Sequence, residues 1–273
     1  MKLGLLLAAV LPLAACQADT TKLNEKIDRL EKKVDALLAQ GGRVAPAAQR
    51  PQRPEHDRTK TYSVPIENDP FEGPADAKIT VVKAYDYACP YCERVRNTME
   101  ELRKKYPNDL RVVSKHLVVH PTTAMSGALA FCAAAKQGKF KEMDNLIWDE
   151  SFKQRKFDPN SCWDTPEGCP LLVSFAQKLQ LDVNKFKADM KACTPVVQTD
   201  MRDLQKLGVG ATPSFFINGR FIAGAGPIGN FVTIIEEEMK KANERIQQGT
   251  PAAQYYQQWV VDKGLKTLEP PKQ

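Results

Sequence analysis

The segment Cys89-Pro90-Tyr91-Cys92 constrains the fold most strongly, because it separates a strand-like run from a helix-like run. Residues 79–85 are rich in the β-branched and aromatic side chains of a buried strand, and residues 93–106 have the apolar spacing of a helix. Cys89 is therefore predicted at a helix N-terminus, where free N–H groups and the helix dipole stabilise a thiolate. Pro90 suits the first helical position, since its missing N–H would have no partner there. The pattern predicts a reversible dithiol/disulfide pair rather than a structural crosslink.

The N-terminus has the features of an export signal. Lys2 precedes an apolar run over residues 3–13, which is too short to span a bilayer but suits the core of a signal peptide. The run ends in Leu13-Ala14-Ala15-Cys16, which resembles the bacterial lipobox, whose cysteine is lipidated and becomes the mature N-terminus. We therefore expect a signal peptide over residues 1–15 and an anchor at Cys16; an ordinary signal peptide with a spare cysteine is the alternative. Gln17 instead of aspartate after the cysteine implies the outer rather than the inner membrane.

The overall charge is mildly basic, with a formal net charge of +6 over 273 residues. No run of lysine and arginine is interleaved with aromatic residues, so no nucleic-acid partner is expected. An exported, oxidising setting also permits structural disulfides.

A heptad pattern follows the anchor, within a segment assigned to residues 16–40. Leucine at d and β-branched residues at a favour a parallel coiled-coil dimer, with a trimer as the main competitor. Self-association through residues 20–40 is expected, and an isolated solvated spacer helix is the alternative. The seam residues are Leu23, Ile27, Leu30, Val34 and Leu37.

Residues 41–60 are predicted to be a disordered linker. The segment contains glycines, prolines and scattered arginines with almost no apolar side chains, so it cannot bury a core. His56 falls in this segment and is assigned no role.

The remaining chain is long enough for one domain over residues 61–249, followed by an extension over residues 250–273 that is expected to add one short helix. Strands are predicted near 62–66, at 79–85 and at 110–119. A hairpin is predicted around Asn218-Gly219, the strongest short hairpin signal in the chain. A helical insertion is predicted over about residues 122–207, and a last helix over 228–246. The helices of the insertion are expected at 124–137, 140–149, 171–179, 185–191 and 197–207.

This order of elements resembles the DsbA family of thioredoxin-fold proteins. The resemblance covers roughly residues 70–241 and is carried by the CPYC helix, the helical insertion, and Thr212-Pro213 before Phe215-Phe216-Ile217-Asn218-Gly219. It implies an α/β chain with a thioredoxin fold and an inserted helical domain, preceded by a short coiled-coil-like helix. It implies no cofactor and no metal.

The resemblance also implies roles for the site residues. Cys89 would form the mixed disulfide with substrate, and Cys92 would resolve it. Pro213 would follow a cis peptide bond and leave the Thr212 backbone free to pair with an extended substrate. Tyr91 stands where the best-known oxidases have histidine, which implies a less oxidising potential.

Asp86, three residues before Cys89, has two interpretations: a proton relay for Cys92, or a strand-end carboxylate in solvent. We favour the second. His116 and His120 lack the spacing of a metal site and are expected to be structural.

Four further cysteines lie in the helical insertion, and four thiols allow three pairings. Cys162 and Cys169 enclose a polar loop that is short enough to be closed by a disulfide. This pairing leaves Cys132 and Cys193, which would bridge two helices. We favour these two structural disulfides. A buried free thiol is the alternative for Cys132.

Together these features predict a thiol–disulfide oxidoreductase that is lipid-anchored in a bacterial envelope and faces the periplasm. Its expected partners are exported proteins that contain cysteine, and a membrane protein that re-oxidises or reduces the CPYC pair. Oxidase and isomerase or reductase activity remain alternatives within this class. A non-catalytic envelope or copper-binding lipoprotein is the alternative outside it.

Overall fold

The computed structural model describes residues 21–39 and 55–268, without the side chains of Leu37 and Leu38. The predicted signal peptide, Cys16, Gln17, most of the predicted linker and the last five residues lie outside the described residues. The chain divides into two units, Met1–Gln52 and Arg53–Gln273. Among the helices described, none combines the length and the apolar character needed to cross a membrane.

The first unit contributes one helix, α1, over Thr21–Ala39. Its apolar seam residues are exposed, with 43–61% of the surface of Leu23, Ile27, Leu30 and Val34 accessible. These four exposed residues lie on one helix.

The second unit is built on a five-stranded sheet in the order β1-β3-β2-β4-β5. Strand β2 pairs parallel with β3, and the other neighbours pair antiparallel. The strands are β1 (Phe71–Glu72), β2 (Ile79–Tyr85), β3 (Leu110–His116), β4 (Ser214–Ile217) and β5 (Arg220–Ala223). Strand β2 lies between β3 and β4, and six of its seven residues are buried. The segment that follows β2 therefore begins at a fixed position in the centre of the sheet.

Helices follow the strands in the expected order, with a long helical segment between β3 and β4. Its members are α4 (Pro121–Ala135), α5 (Phe140–Leu146), a π-helical turn (Ile147–Phe152), a 3₁₀ turn (Cys162–Asp164), α6 (Pro170–Lys178), α7 (Val183–Ala192) and α8 (Thr194–Lys206). The other helices are α2 (Pro90–Arg94), α3 (Arg96–Lys105), α9 (Ile228–Gln247), α10 (Ala252–Tyr255) and a final π-helical turn (Tyr256–Val261).

Three apolar clusters hold the second unit together. One lies between the sheet and α3 and α9, and includes Val81, Leu102 and Phe231. A second covers the other face of the sheet, where Val82 and Phe216 contact the C-terminal segment. The third fills the helical insertion and extends to Cys89 and Cys92. The cysteine pair therefore lies where the insertion meets the sheet.

The prediction of a strand near residues 62–66 is wrong. Tyr62 forms only an isolated bridge with Leu265, and the first strand of the sheet is Phe71–Glu72. The Ser63 N–H donates to the Leu265 carbonyl and the Leu265 N–H to the Thr61 carbonyl. This segment therefore pairs with the C-terminal segment instead of the sheet, and the C-terminal extension belongs to the packed structure.

The packed domain also begins before Thr61, inside the predicted linker. The His56 ring stacks on Phe221 with 3.6 Å between ring centroids, and its Nε2 lies 2.7 Å from the Leu207 carbonyl oxygen. Burial lowers the pKa of His56. Phe221 on the hairpin gives the His56 ring an apolar surface on which to stack, and this explains the contact.

Candidate active site

Cys89 lies at the junction between β2 and α2. It is the N-cap residue of α2, with extended backbone angles of −89° and 117°, and its carbonyl accepts hydrogen bonds from the N–H groups of Cys92 and Glu93. Pro90 occupies the first helical turn, as its missing N–H allows. Both cysteines are free thiols and both are buried, whereas 54% of the Tyr91 side chain is exposed beside them.

The turn before β4 lies against this cysteine pair. Strand β4 pairs with β2, and the pairing of Ala84 with Ser214 brings Thr212-Pro213 to the end of β2 from which Cys89 follows. The Thr212-Pro213 peptide bond is cis. The Cys89 thiol donates to the Thr212 carbonyl oxygen at 3.3 Å. Sheet register therefore brings two segments into contact that are 123 residues apart in sequence.

The Thr212 side chain offers a further donor. Its hydroxyl oxygen is buried and has no hydrogen-bond partner among the described residues. When Cys89 ionises, this hydroxyl can donate a hydrogen bond to the sulfur. The same bond removes the cost of a buried hydroxyl without a partner. A signal for this contact exists in the sequence only through the resemblance that pairs Thr212 with the CPYC motif.

The two thiols differ strongly in acidity. Hydrogen bonding from the Cys92 thiol is the largest influence on Cys89, and with Thr212 and the backbone N–H groups it lowers the pKa of Cys89 from 9.0 to about 5. Burial, followed by the hydrogen bond to Cys89, raises the pKa of Cys92. At neutral pH, Cys89 is therefore the thiolate and Cys92 the thiol.

Titration of the reduced protein is expected to give one thiolate with a midpoint of about pH 5, measured by absorbance at 240 nm. The Cys89→Ala variant should lose this transition, and Thr212→Val should move it to higher pH because one donor to the sulfur is removed. A midpoint between about 8 and 9, the range of an ordinary thiol, would contradict the assignment.

The sign of the pH dependence follows from the same shift. Folding lowers the pKa of Cys89, so its thiolate stabilises the reduced protein fully above the ordinary value of 9.0, and this contribution is lost as the pH falls through about 5. In the oxidised protein Cys89 is bonded to Cys92 and has no thiolate, so this contribution is absent. Relative to it, the reduced form should gain unfolding free energy as the pH rises from 5.

Asp86 is buried, and the expectation that it lies in solvent is wrong. Its carboxylate accepts hydrogen bonds from the N–H groups of Ala88 at 2.7 Å, Val119 at 2.7 Å and His120 at 2.9 Å, and lies 3.1 Å from His120 Nδ1. Its backbone carbonyl accepts the Cys89 N–H. One carboxylate thus ties the turn before Cys89 to the loop after β3. Only the local contact, an Asx turn onto Ala88 two residues on, has a signal in the sequence.

Substituting Asp86 by asparagine is expected to lower the free energy of unfolding by about 1–3 kcal/mol, because the amide nitrogen cannot accept the buried N–H groups that the second carboxylate oxygen accepts. Urea denaturation of the reduced protein measures this. Asp149→Asn is the matched control: this half-exposed carboxylate pairs with Arg96 and Lys153, and its loss should cost about 0–1 kcal/mol. Equal effects of the two variants would show that Asp86 has no special role.

Of the two histidines near β3, His116 lies in the protein interior and His120 in the loop that follows the strand. His116 is fully buried against Tyr85 and Phe131, and burial lowers its pKa to about 3, so it is neutral. His120 is half-exposed and paired with Asp86.

Disulfides join Cys132 to Cys193 and Cys162 to Cys169. The first links α4 to the junction of α7 and α8. The second joins the two ends of the polar loop, seven residues apart in sequence. Donor atoms of Asp158, Cys162 and Cys169 lie within 4.8 Å of one another, but the two sulfurs are bonded to each other and are not free to ligate a metal.

A family model described as thioredoxin matches residues 66–251 of the chain. The match covers the sheet, the cysteine pair and the helical insertion.

Solved structures share the fold of the second unit. Alpha-DsbA1 from Wolbachia pipientis has a TM-score of 0.54 at 20% identity, with 67% of this chain and 96% of that chain covered. BdbD from Bacillus subtilis has a TM-score of 0.51 at 24% identity, with coverages of 66% and 98%. A thioredoxin-like oxidoreductase from Silicibacter pomeroyi DSS-3 has a TM-score of 0.51 at 24% identity, with coverages of 67% and 95%. The predicted fold class, a thioredoxin fold with a DsbA-like helical insertion, is confirmed.

Curated relatives include much longer proteins. The Na(+)/H(+) antiporter NhaA of Herminiimonas arsenicoxydans is 30% identical over 194 residues, which are 70% of this chain and 29% of that protein. NhaA 3 of Salinispora tropica is 34% identical over 166 residues, which are 58% of this chain and 23% of that protein. The chain spans less than a third of the length of these relatives.

Proposed function

The chain belongs to the thioredoxin family, and we propose that it is a thiol–disulfide oxidoreductase that forms or rearranges disulfides in exported proteins while anchored to a membrane. One observation carries the proposal: the Cys89 thiol has a pKa of about 5 and contacts Thr212, beside a buried second thiol at Cys92. A structural crosslink or a scaffold requires none of these features.

The chemistry follows from the difference between the two thiols. In the reducing direction the Cys89 thiolate attacks one sulfur of a substrate disulfide, that S–S bond breaks, and the released substrate thiolate takes a proton. Cys92 then loses its proton and attacks the Cys89 sulfur, which releases the second substrate thiol and leaves a Cys89–Cys92 disulfide. Oxidation of a substrate dithiol is the same sequence reversed. In isomerisation the mixed disulfide is resolved by another substrate thiol, and the CPYC pair ends reduced.

Substrate binding is proposed at the Thr212-Pro213 turn. An extended substrate strand would pair with the Thr212 backbone next to Cys89, while Pro213 donates no competing N–H. Exposed Tyr91 would line the same surface on the other side of the sulfur.

The location and partners are also part of the proposal. Lipidation at Cys16 would anchor the chain in a bacterial envelope, facing the periplasm, in the outer rather than the inner membrane. A membrane redox partner would re-oxidise or reduce the CPYC pair. Sodium–proton antiport is not proposed, since the similarity spans 29% of that antiporter.

Isomerase activity is the candidate favoured by one specific observation, the exposed apolar seam of α1. A second or third copy packed on this seam would bring several active sites around one misfolded substrate and raise their effective concentration. A disulfide donor gains nothing from this arrangement. The feature that favours donor activity is the helical insertion.

Reactivation of scrambled, fully oxidised ribonuclease by the reduced soluble chain beginning at Gln17 tests this proposal. An isomerase that depends on self-association should lose activity by about fivefold or more in Ile27→Asp, which buries a like charge from each copy in the seam. Asp28→Asn, on the same helix but outside the seam, is the matched control and should keep full activity. No reactivation, with rapid oxidation of reduced ribonuclease by the oxidised form, would identify a disulfide donor instead.

A non-catalytic envelope or copper-binding lipoprotein remains the candidate from another class. It would be favoured if Cys89→Ala kept full biological activity in the source bacterium.

A further inference from the structure

One buried cluster of charged residues lies outside the proposed active site. Lys115 Nζ on β3 lies 2.7 Å from Asp69 Oδ2 and 2.7 Å from Asp200 Oδ1. The side chains of these three residues are only 4–6% exposed. Asp69 lies in the loop before β1 and Asp200 lies on α8, so the cluster joins three segments that are far apart in sequence.

The charges in this cluster balance when it holds one extra proton. With both carboxylates ionised, one lysine faces two negative charges, and a buried charge without a partner is costly. Asp200 accepts hydrogen bonds from Lys115 and from the His116 N–H, which favour its ionised form. Asp69 therefore carries the proton and donates a hydrogen bond to Asp200. Burial, and then the nearby Asp200, raise the pKa of Asp69 to about 7.

The other titratable groups that face the cluster keep their charge state near neutral pH. Burial lowers the pKa of Lys115, but the two carboxylates outweigh this effect and the lysine stays charged. Burial lowers the pKa of His116 to about 3, so its ring is neutral. Burial also raises the pKa values of Tyr85 on β2 and Tyr256 in the final π-helical turn, so both stay uncharged. Other charged side chains near this loop lie at or close to the surface: Glu67, Glu72, Arg111 and Lys136.

Among the described residues, the segment that carries Asp69 has few other attachments to the sheet. Strand β1 is only two residues long, and one further backbone hydrogen bond joins the Ser114 N–H to the Pro70 carbonyl oxygen. Ion pairs of Glu72 at the surface add little. Residues 68–72, called the β1 segment below, also border a cavity of about 470 Å³ between β3, α4 and α8. Part of the inner face of the segment therefore packs against no side chain, as is typical of segments that open locally.

Opening of the β1 segment would remove the excess charge. In the closed state, an ionised Asp69 adds a second negative charge beside Lys115 and Asp200. In the open state, Asp69 reaches water, where its ordinary pKa is 3.8, and Lys115 and Asp200 remain as one balanced ion pair. The closed state therefore binds the proton more tightly. Its advantage is complete below about pH 3.8 and is lost as the pH rises through about 7.

We propose that Asp69, Lys115 and Asp200 form a pH-sensitive clasp, which holds the β1 segment closed while Asp69 is protonated and lets it open as Asp69 ionises. Opening exposes the rest of Phe71, which is already 38% exposed, and the side of the cavity that the segment covers. The clasp is distinct from the redox chemistry, since none of its groups belongs to the CPYC segment or to the Thr212-Pro213 turn.

Amide hydrogen exchange of the Ser114 N–H tests this clasp, because this group bonds to Pro70 and becomes free when the β1 segment opens. The oxidised protein is used, so that Cys89 has no thiol to titrate. The protection factor of Ser114 should fall by about tenfold between about pH 5.5 and 6.5 and level off above about pH 8, since opening releases one proton. The Leu117 N–H bonds to Tyr85 on the β2 side and should be at least about tenfold better protected at about pH 8.

The variant Asp69→Asn separates the proton from the shape of the side chain. Its amide is neutral at every pH and can donate to Asp200 as the protonated acid does. Protection of Ser114 should therefore no longer depend on pH, and at about pH 8 it should exceed the wild-type value by about tenfold or more. Asp203→Asn is the matched control: it changes an acid on the same helix as Asp200, where it pairs with Lys206 at 3.7 Å, and should keep the wild-type pH dependence.

A carbon-13 titration of the Asp69 carboxyl group in the wild-type protein is a second measurement, which decides the matter even if Asp69→Asn fails to fold. A midpoint of about pH 7 is expected, against 3.8 for an ordinary aspartate. A midpoint below about 5 would overturn the proposal, because Asp69 would then be ionised throughout the neutral range. Ser114 protection that is independent of pH, a pH dependence that persists in Asp69→Asn, or equal protection of Ser114 and Leu117 would also overturn it.

Discussion

Replacing Cys89 by serine is expected to lower the rate of disulfide exchange by about 10³-fold or more, to the level of the reaction without protein. A serine hydroxyl is not ionised at pH 7 and cannot form a disulfide, whereas the pKa of about 5 makes Cys89 a thiolate at that pH. Reduction of insulin by dithiothreitol, followed by turbidity, and oxidation of reduced ribonuclease both measure this loss.

The control for this variant changes two cysteines outside the site. Cys162→Ser with Cys169→Ser removes a disulfide in the helical insertion and should keep at least about half of the exchange rate, since these two sulfurs are bonded to each other and are no part of the exchange. If Cys89→Ser kept a substantial rate, the nucleophile would have to be another group, and the proposed mechanism would fail.

Removing the Cys132–Cys193 disulfide is expected to destabilise the protein by about 4 kcal/mol, because it closes a loop with a sequence separation of 61. Removing Cys162–Cys169, with a separation of 7, should cost only about 2 kcal/mol. The chain-entropy model gives this order, since a longer closed loop restricts the unfolded chain more.

Guanidinium denaturation of two double variants measures this difference: Cys132→Ala with Cys193→Ala, and Cys162→Ala with Cys169→Ala. Each pair is the control for the other, because both remove two sulfurs from the same helical insertion. A larger loss for the short loop would mean that local packing around Cys162 and Cys169, rather than chain entropy, decides the stability.

Local signals in the sequence were sufficient for the elements that hold the cysteines. The β-branched run over residues 79–85 predicted β2 at both ends, and Asn218-Gly219 predicted the hairpin of β4 and β5. The helix after Cys89 is interrupted only at Val95, where two helical segments meet. These elements were predictable because each is specified by side chains within a few residues of one another.

Contacts between distant segments were not predictable in the same way. Asp86 is buried because parallel pairing of β2 with β3 brings the turn after one strand beside the loop after the other, and no local pattern contains this pairing. The two-residue strand Phe71–Glu72 exists only through its register with Val112 and Val113. The contact of His56 with Phe221 similarly joins residues that are far apart in the chain.

The buried group of Asp69, Lys115 and Asp200 belongs to the same category. Its carboxylates come from the loop before β1 and from α8, and its lysine from β3. Each residue alone is typical of a solvated surface, and only the folded chain brings the three together in the interior.

The most direct test of the central claim is to identify the cysteine that bonds covalently to substrate. The Cys92→Ala variant, incubated with a peptide that contains one disulfide, should accumulate a mixed disulfide because no second thiol of the pair is present to resolve it. Mass spectrometry of the proteolysed adduct should find the peptide on Cys89. An adduct on any other cysteine, or no adduct while the wild-type protein reduces the same peptide, would contradict the account.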